Sequence, residues 1–196
     1  MALIRQMVVS TKRPNTRENL TVVATINAAG GVMPPRIIFK GQRVQAAWLG
    51  GWGPPGALHA ATDSSSMQGP MFFNFITSFH KHIVDTGKHD GKPHILLLDR
   101  HSSHVTFEVI ELAKSRNELF QLPSHSSHIT QPLDVAAFGI FKREVTSVLD
   151  PFGRNHGRKM LVTADMVAVI MDAWEWSFTP SKVSASFAGR DCSLWT

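Results

Sequence analysis

A single cysteine, Cys192, stands in 196 residues, so no disulfide can form within the chain. A reducing, intracellular compartment is the expectation. Long apolar runs are missing as well. None, the stretch at residues 94–98 included, approaches the roughly 20 residues that a membrane helix needs, so no membrane partner is expected. The opening residues 1–9 (MALIRQMVV) lack the length and cleavage pattern of a secretory signal. There is no run of five or more basic residues, no internal repeat and no low-complexity tract. Cytosol and nucleus remain.

What is present suits an ordinary folded domain. The hydrophobic fraction is 43% and the charged fraction 18%, which excludes the low-apolar, high-charge signature of disorder. A chain of this length is most simply one domain, able to bury roughly 70% of its unfolded surface. The formal charge is +5. That permits attraction to a polyanion, although the basic residues are dispersed and a solvated surface accounts for them equally well.

Hydrophobic periodicity divides the chain into alternating elements. Residues 1–19 read as a poorly specified lead-in with one short strand at 3–9. Residues 20–27 (LTVVATIN) are rich in β-branched side chains and run into Gly30 and Gly31, a strand and a turn. Residues 36–40 (RIIFK) give a second strand, and the short link predicts an antiparallel hairpin. The Gly/Pro-rich stretch at 50–55 and the small polar residues after it read as a loop.

From there the period lengthens. Phe72, Phe75, Ile76, Phe79 and Ile83 recur at helical steps and mark a core-facing stripe. Residues 94–99 (HILLLD) form a short continuous apolar run, as expected of a strand covered on both faces. A helix with Val105, Val109, Leu112 and Ala113 inward follows, with Glu108, Glu111 and Lys114 outward. Residues 118–122 (ELFQL) give another strand. Phe138, Phe141, Val145 and Val148 then mark a helix, and Thr163 is positioned to cap a last one carrying Met166, Ile170, Met171 and Trp174. A hairpin followed by β and α units implies a mixed sheet with helices packed on it.

Two acids carry the candidate chemistry. Asp99 ends a buried strand, where open α/β sheets gather their ligands. Asp134 follows Pro132 at the start of a helix, whose unpaired N–H groups stabilise a carboxylate. The helix, strand and loop between them are long enough to return the second acid to the first. Paired carboxylates at that place suit metal-assisted phosphodiester cleavage, because hard divalent ions take oxygen ligands. On spacing alone, a loop acid and a helix cap explain the same residues.

Longer motifs surround both acids. Residues 96–104 (LLLDRHSSH), 122–134 (LPSHSSHITQPLD) and 135–143 (VAAFGIFKR) resemble the catalytic core of DDE endonucleases from pogo, Tigger and jerky-like transposons. Residues 20–41 (LTVVATINAAGGVMPPRIIFKG) are similar to the hairpin which that family carries upstream. Residues 174–189 (WEWSFTPSKVSASFAG) look like its closing helical segment.

The resemblance implies an α/β, ribonuclease-H-like fold with helices flanking a mixed sheet, and a site of three acids holding Mg²⁺ or Mn²⁺. Asp99 matches the second acid and Asp134 the third. The first belongs to an upstream strand in a motif of the Asp-Glu-Thr-Gly kind, which residues 1–19 do not contain; Glu18 is their only acid. The expectation is therefore a core that is missing its first strand, truncated at the N-terminus. Asp63 is a poor substitute, because it follows the hairpin in a loop.

Residues 20–150 form the endonuclease-like core on this reading, with 151–196 the C-terminal helical segment of the same domain. The expected function is nuclear and nucleic-acid-binding: an endonuclease or transposase derivative with DNA as partner, weak metal binding at Asp99 and Asp134, and an inactive isolated chain. The alternatives are a domesticated DNA- or protein-interaction module without catalysis, or a decayed transposon fragment. Homo-oligomerisation stays open.

Further candidates cluster near the acids. His101, His104, His125 and His128 form two HSSH pairs that could build a zinc site. For His104 and His128 the other reading is support of the acids or contact with phosphate, and loop histidines are the plain one. Lys142 and Arg143 could meet a DNA phosphate or simply face solvent. Gln131 and Pro132 shape the turn before Asp134. Trp48 and Trp52 could stack on a base or pack under a loop.

Overall fold

A computed structural model of the protein describes residues 2–12, 17–49, 54–87, 94–98, 106–116, 118–121, 133, 137–155 and 162–188. Six strands are described: β1 (Ala2–Lys12), β2 (Arg17–Asn27), β3 (Val32–Lys40), β4 (Leu58–Thr62), β5 (Ile95–Leu98) and β6 (Glu118–Gln121). They form one sheet in the order β4-β3-β2-β1-β5-β6. β1 to β3 are mutually antiparallel, whereas β3–β4, β1–β5 and β5–β6 are parallel. The described helices are α1 (Gly69–Asp85), α2 (Phe107–Arg116), α3 (Phe138–Asn155), α4 (Thr163–Ser177) and α5 (Pro180–Ala188).

The mixed sheet and flanking helices agree with the expected class. The expected gap at the first strand is filled. Residues 1–19 read as a lead-in with a strand at 3–9, but Ala2–Lys12 runs the length of β2 and lies at the centre of the sheet. Its alternating pattern is broken by Arg5, Gln6 and Ser10, so its local sequence understated a strand that pairing on both sides specifies.

β4 is a second correction. Residues 58–62 (LHAAT) follow a Gly/Pro-rich stretch and carry two alanines, which are poor strand formers. Their parallel ladder to β3, from Arg36↔Leu58 to Lys40↔Thr62, supplies the order instead. β3 itself begins four residues before the expected Arg36 and includes Pro34 and Pro35. Prolines fit only where no ladder hydrogen bond is needed. Here the β2–β3 register shifts between Val23 and Thr25, and β4 does not pair until Arg36.

The sheet separates two cores. Leu20, Val22, Ala24 and Ile26 of β2 join Ile37 and Phe39 of β3 against α3, α4 and α5. Val23, Ile38 and Leu96 meet Phe72, Phe75, Ile76, Phe79 and Ile83 of α1 and Val109 of α2. The helical stripes therefore bury as expected, including Phe138, Phe141 and Val145, and Met166, Ile170, Met171 and Trp174. Each such side chain contributes about 1.5–3 kcal/mol. Phe141, Trp174 and Phe178 form an aromatic cluster, with the last two stacked at 3.9 Å between centroids. The α4 cap differs from expectation: Val162 is the N-cap, and the Asp165 carboxylate accepts from its N–H at 3.0 Å.

Arg36 ties β3 to α1. Its guanidinium is buried, donates to the Met71 carbonyl at 3.0 Å and to Ser78 Oγ at 3.3 Å, and lies over the Phe75 ring. Burial lowers its pKa from the ordinary arginine value.

The β2–β3 turn depends on Gly30, whose φ is +83°. A Cβ there would come within 2.6 Å of the Pro180 carbonyl oxygen at the start of α5. Gly30→Ala is expected to destabilise the fold by about 1–3 kcal/mol through backbone strain and this collision. Urea unfolding of the two proteins measures it.

His59 of β4 stacks on Phe39, and burial lowers its pKa. The folded state then binds fewer protons than the unfolded state. Stability is complete above the unfolded value of about 6.5 and declines as pH falls through the lowered folded value. His59→Phe, which keeps a ring on Phe39, should flatten that acid-side decline in melts recorded across the window.

Candidate active site

Parallel pairing aligns β1, β5 and β6, so their carboxyl ends leave the same edge of the sheet. Leu98 is the last residue of β5 and stands opposite Gln121, the last of β6. Asp99 follows Leu98 in sequence. Asp99, Asp134 and the four histidines His101, His104, His125 and His128 lie outside the described residues, as do Gln131, Pro132 and Trp52. The residues that bracket Asp134 are described: Leu133 is fully buried and Ala137 nearly so, both in the core between the sheet and α3 to α5.

β1 occupies the position beside β5. Ala2 pairs with Leu96 and Leu3 with Leu97, so continuing the register sets Ile4 level with Leu98. The next residues of β1 are Arg5, Gln6 and Met7, and the whole strand (ALIRQMVVSTK) contains no acid. Met7 is buried in the core, while the Gln6 side-chain oxygen accepts a hydrogen bond from the Met67 N–H at 3.4 Å. A neutral amide oxygen brings no negative charge to a divalent cation, and a thioether is a poor partner for one.

Asp63 leaves the same sheet edge, because β4 runs parallel to β3 and hence to β1. It cannot stand in for a missing acid. β4 is separated from β5 by β3, β2 and β1, about 19 Å at roughly 4.8 Å per strand. Its carboxylate also accepts a 2.7 Å hydrogen bond from Gln42. Among the described residues, no three His, Cys, Asp or Glu side chains come together as a metal site.

Lys142 and Arg143 are both exposed on α3, on the side away from Phe141 and Val145. Trp48 is half-buried and packs against Phe39, with ring centroids 4.7 Å apart. The long β1–β2 ribbon beside this edge is the feature that sequence reasoning missed. Matching strand lengths on either side of residues 13–16, with turn-forming Pro14 and Asn15 between them, was its available signal.

A three-layer α/β domain with this sheet order is what the fold defines. Residues 17–187 match the DDE superfamily endonuclease family, and the chain belongs to it. The architecture is ribonuclease-H-like, as in transposase catalytic domains. It is similar to the catalytic domain of Mos1 mariner transposase, with a TM-score of 0.51 and 11% identity over 94% of this chain and 80% of that one. A Mos1 paired-end complex with Mn gives the same TM-score at 13% identity, over 94% of this chain and 54% of that one. At such identities the likeness shows the fold.

Among curated proteins, the MFS-type transporter clz9 of Cochliobolus lunatus is 29% identical over 178 residues. That stretch is 90% of this chain but 19% of the relative, so the chain spans about a fifth of its length. No helix among the described residues is long and apolar enough to cross a membrane.

Leu133, next to Asp134 in sequence, is fully buried. Leu133→Ala is expected to cost about 2–5 kcal/mol. Lys142→Ala, on the exposed face of α3, should stay within about 0.5 kcal/mol of wild type. Chemical denaturation of the three proteins side by side tests the contrast.

Proposed function

We propose that this chain is a nucleic-acid-binding DDE domain that acts in the nucleus and whose phosphodiester chemistry is impaired. One observation carries the reading: the strand in the position next to β5 has no carboxylate to set beside the sheet edge that Asp99 leaves. Family membership supports the ancestral activity, cleavage and strand transfer at a phosphodiester.

Asp99 and Asp134 supply hard oxygen donors of the kind Mg²⁺ or Mn²⁺ prefers. They would hold an ion between them, and β1 adds neither a charge nor a donor suited to it, so binding is weak. When bound, such an ion activates a water or a 3′-hydroxyl and stabilises the leaving oxygen. The chain's own part is positional: β5 and buried Leu133 anchor the two acid-bearing segments, while exposed Lys142 and Arg143 meet backbone phosphate.

The same acid-free strand favours a second reading, a DNA-binding module retained without catalysis. Binding that is unchanged in EDTA and in Asp99→Asn/Asp134→Asn supports it.

With supercoiled plasmid and Mg²⁺ or Mn²⁺, the purified chain is expected to release no open-circle product above the buffer control. Nicking that vanishes in Asp134→Asn would overturn the impairment. Arg5→Asp places a carboxylate on β1 and should raise Mn²⁺ affinity by about tenfold or more, since charge count governs such sites. An unchanged affinity by titration calorimetry would show that β1 is not the place where the site is short of an acid.

A further inference from the structure

We infer that the corner of the sheet remote from Asp99 holds a small-molecule site, whose ligand is a neutral, planar heterocycle with a cyclic amide, the chemistry of a nucleobase. The inference does not depend on the nucleic-acid reading above.

Topology sets the place. His94 precedes β5 at one end and Asp99 follows it at the other; the strand between them has four residues. That is about 13 Å at roughly 3.3 Å per residue. At the His94 end, Ala2 of β1 pairs with Asn27 on one side and Leu96 on the other, so β2 ends close to where β5 begins. The last turns of α1 lie over this corner, and a cavity of about 210 Å³ remains between helix and sheet.

The lining decides the ligand's charge. Val32, Met33, Phe79 and Ile83 give apolar walls, and Thr25, Asn27, His82 and His94 bring polar groups among them. No Asp, Glu, Lys or Arg is among the described residues that line the cavity. A charged ligand would lose water here without gaining a counter-charge, which is costly. A neutral one avoids that cost. The volume also falls below the roughly 300–1,000 Å³ of pockets for drug-sized ligands, so one or two rings fit.

Two polar groups decide the pattern of hydrogen bonds. Thr25 is only 5% exposed, yet its hydroxyl makes no hydrogen bond among the described residues. The β2–β3 register shifts between Val23 and Thr25, and such irregularities re-aim a side chain. Asn27 is oriented by the Gly31 N–H, which donates to its Oδ1 at 2.8 Å. Its Nδ2, with two hydrogens, donates to no described residue. Buried polar groups ordinarily have partners. A cyclic amide supplies both: its carbonyl accepts from Asn27 Nδ2, its N–H donates to Thr25 Oγ1, and its flat ring lies against the apolar walls.

The test uses the whole chain with uracil and benzoate as probes, in titration calorimetry and thermal melts. Uracil should bind. At about ten times its dissociation constant it should raise the melting temperature by about 3–6 °C, since it binds the folded state across the joint between β2 and β5. Benzoate, a ring of similar size with a full charge, should bind at least about tenfold more weakly. Thr25→Val keeps the side-chain shape and should weaken uracil about tenfold. Asn27→Asp keeps the acceptor for Gly31 while removing both donors, and should do the same; it decides the matter if Thr25→Val melts well below wild type. No uracil binding up to its solubility limit, equal binding of benzoate, or undiminished uracil affinity in the folded variants overturns the site. A short oligothymidylate separates the two sources of such a ring. If it displaces uracil, the site stands as one for bases carried on a strand; if it does not, the site stands as one for a free small molecule.

Discussion

Two ladder positions, Ala2 opposite Leu96 and Leu3 opposite Leu97, join the halves of the sheet. On one side, β1 to β3 are linked through turns and β4 adds to the edge. On the other, β5 and β6 form a parallel pair across α2. The joining contact is parallel and remote in sequence, so its formation must overcome the closure entropy of a long intervening chain. The core beneath α1 and α2 depends on it, because Leu96 of β5 packs there beside Val23 and Ile38. Helices α1 and α2 lie across the two halves on one face, and the aromatic cluster of α3 to α5 covers the other. Without a continuous sheet, the layer of α1 and α2 has no complete surface to bury.

The same contact sets the terms of the chemistry. It sets β1, a strand without an acid, beside β5 and directs it past the edge at which β5 ends. Burial of Leu20, Val22, Ile37 and Phe141 supplies stability, and a carboxylate at the sheet edge contributes little to it.

Much of the fold was legible because apolar spacing reports burial directly. The α1 stripe of Phe72, Phe75, Ile76, Phe79 and Ile83, the β2–β3 hairpin and the α3 and α4 faces could all be read from period alone. β4 and the full extent of β1 could not. Residues 58–62 are small and weakly strand-forming, and Arg5 and Gln6 interrupt the pattern of β1; neighbouring strands order both segments. Pro34 and Pro35 misled in the same way, since a register shift makes room for them inside a strand. Of the function, sequence identified the family; Asp99 and Asp134 lie outside the described residues, and Lys142, Arg143 and Trp48 acquired their surroundings only in three dimensions.

By itself, then, the order of residues determined which segments bury an apolar face, that the motifs around Asp99 and Asp134 are those of a DDE endonuclease, and that residues 1–19 hold no aspartate. Tertiary structure alone decided that these opening residues occupy the centre of the sheet, that Asp63 stands four strands away from β5, and that β1 continues past the edge at which β5 ends. The physical reason is range. Side-chain period is a local property of a few neighbouring residues, whereas strand order and register are chosen by contacts between segments far apart in the chain.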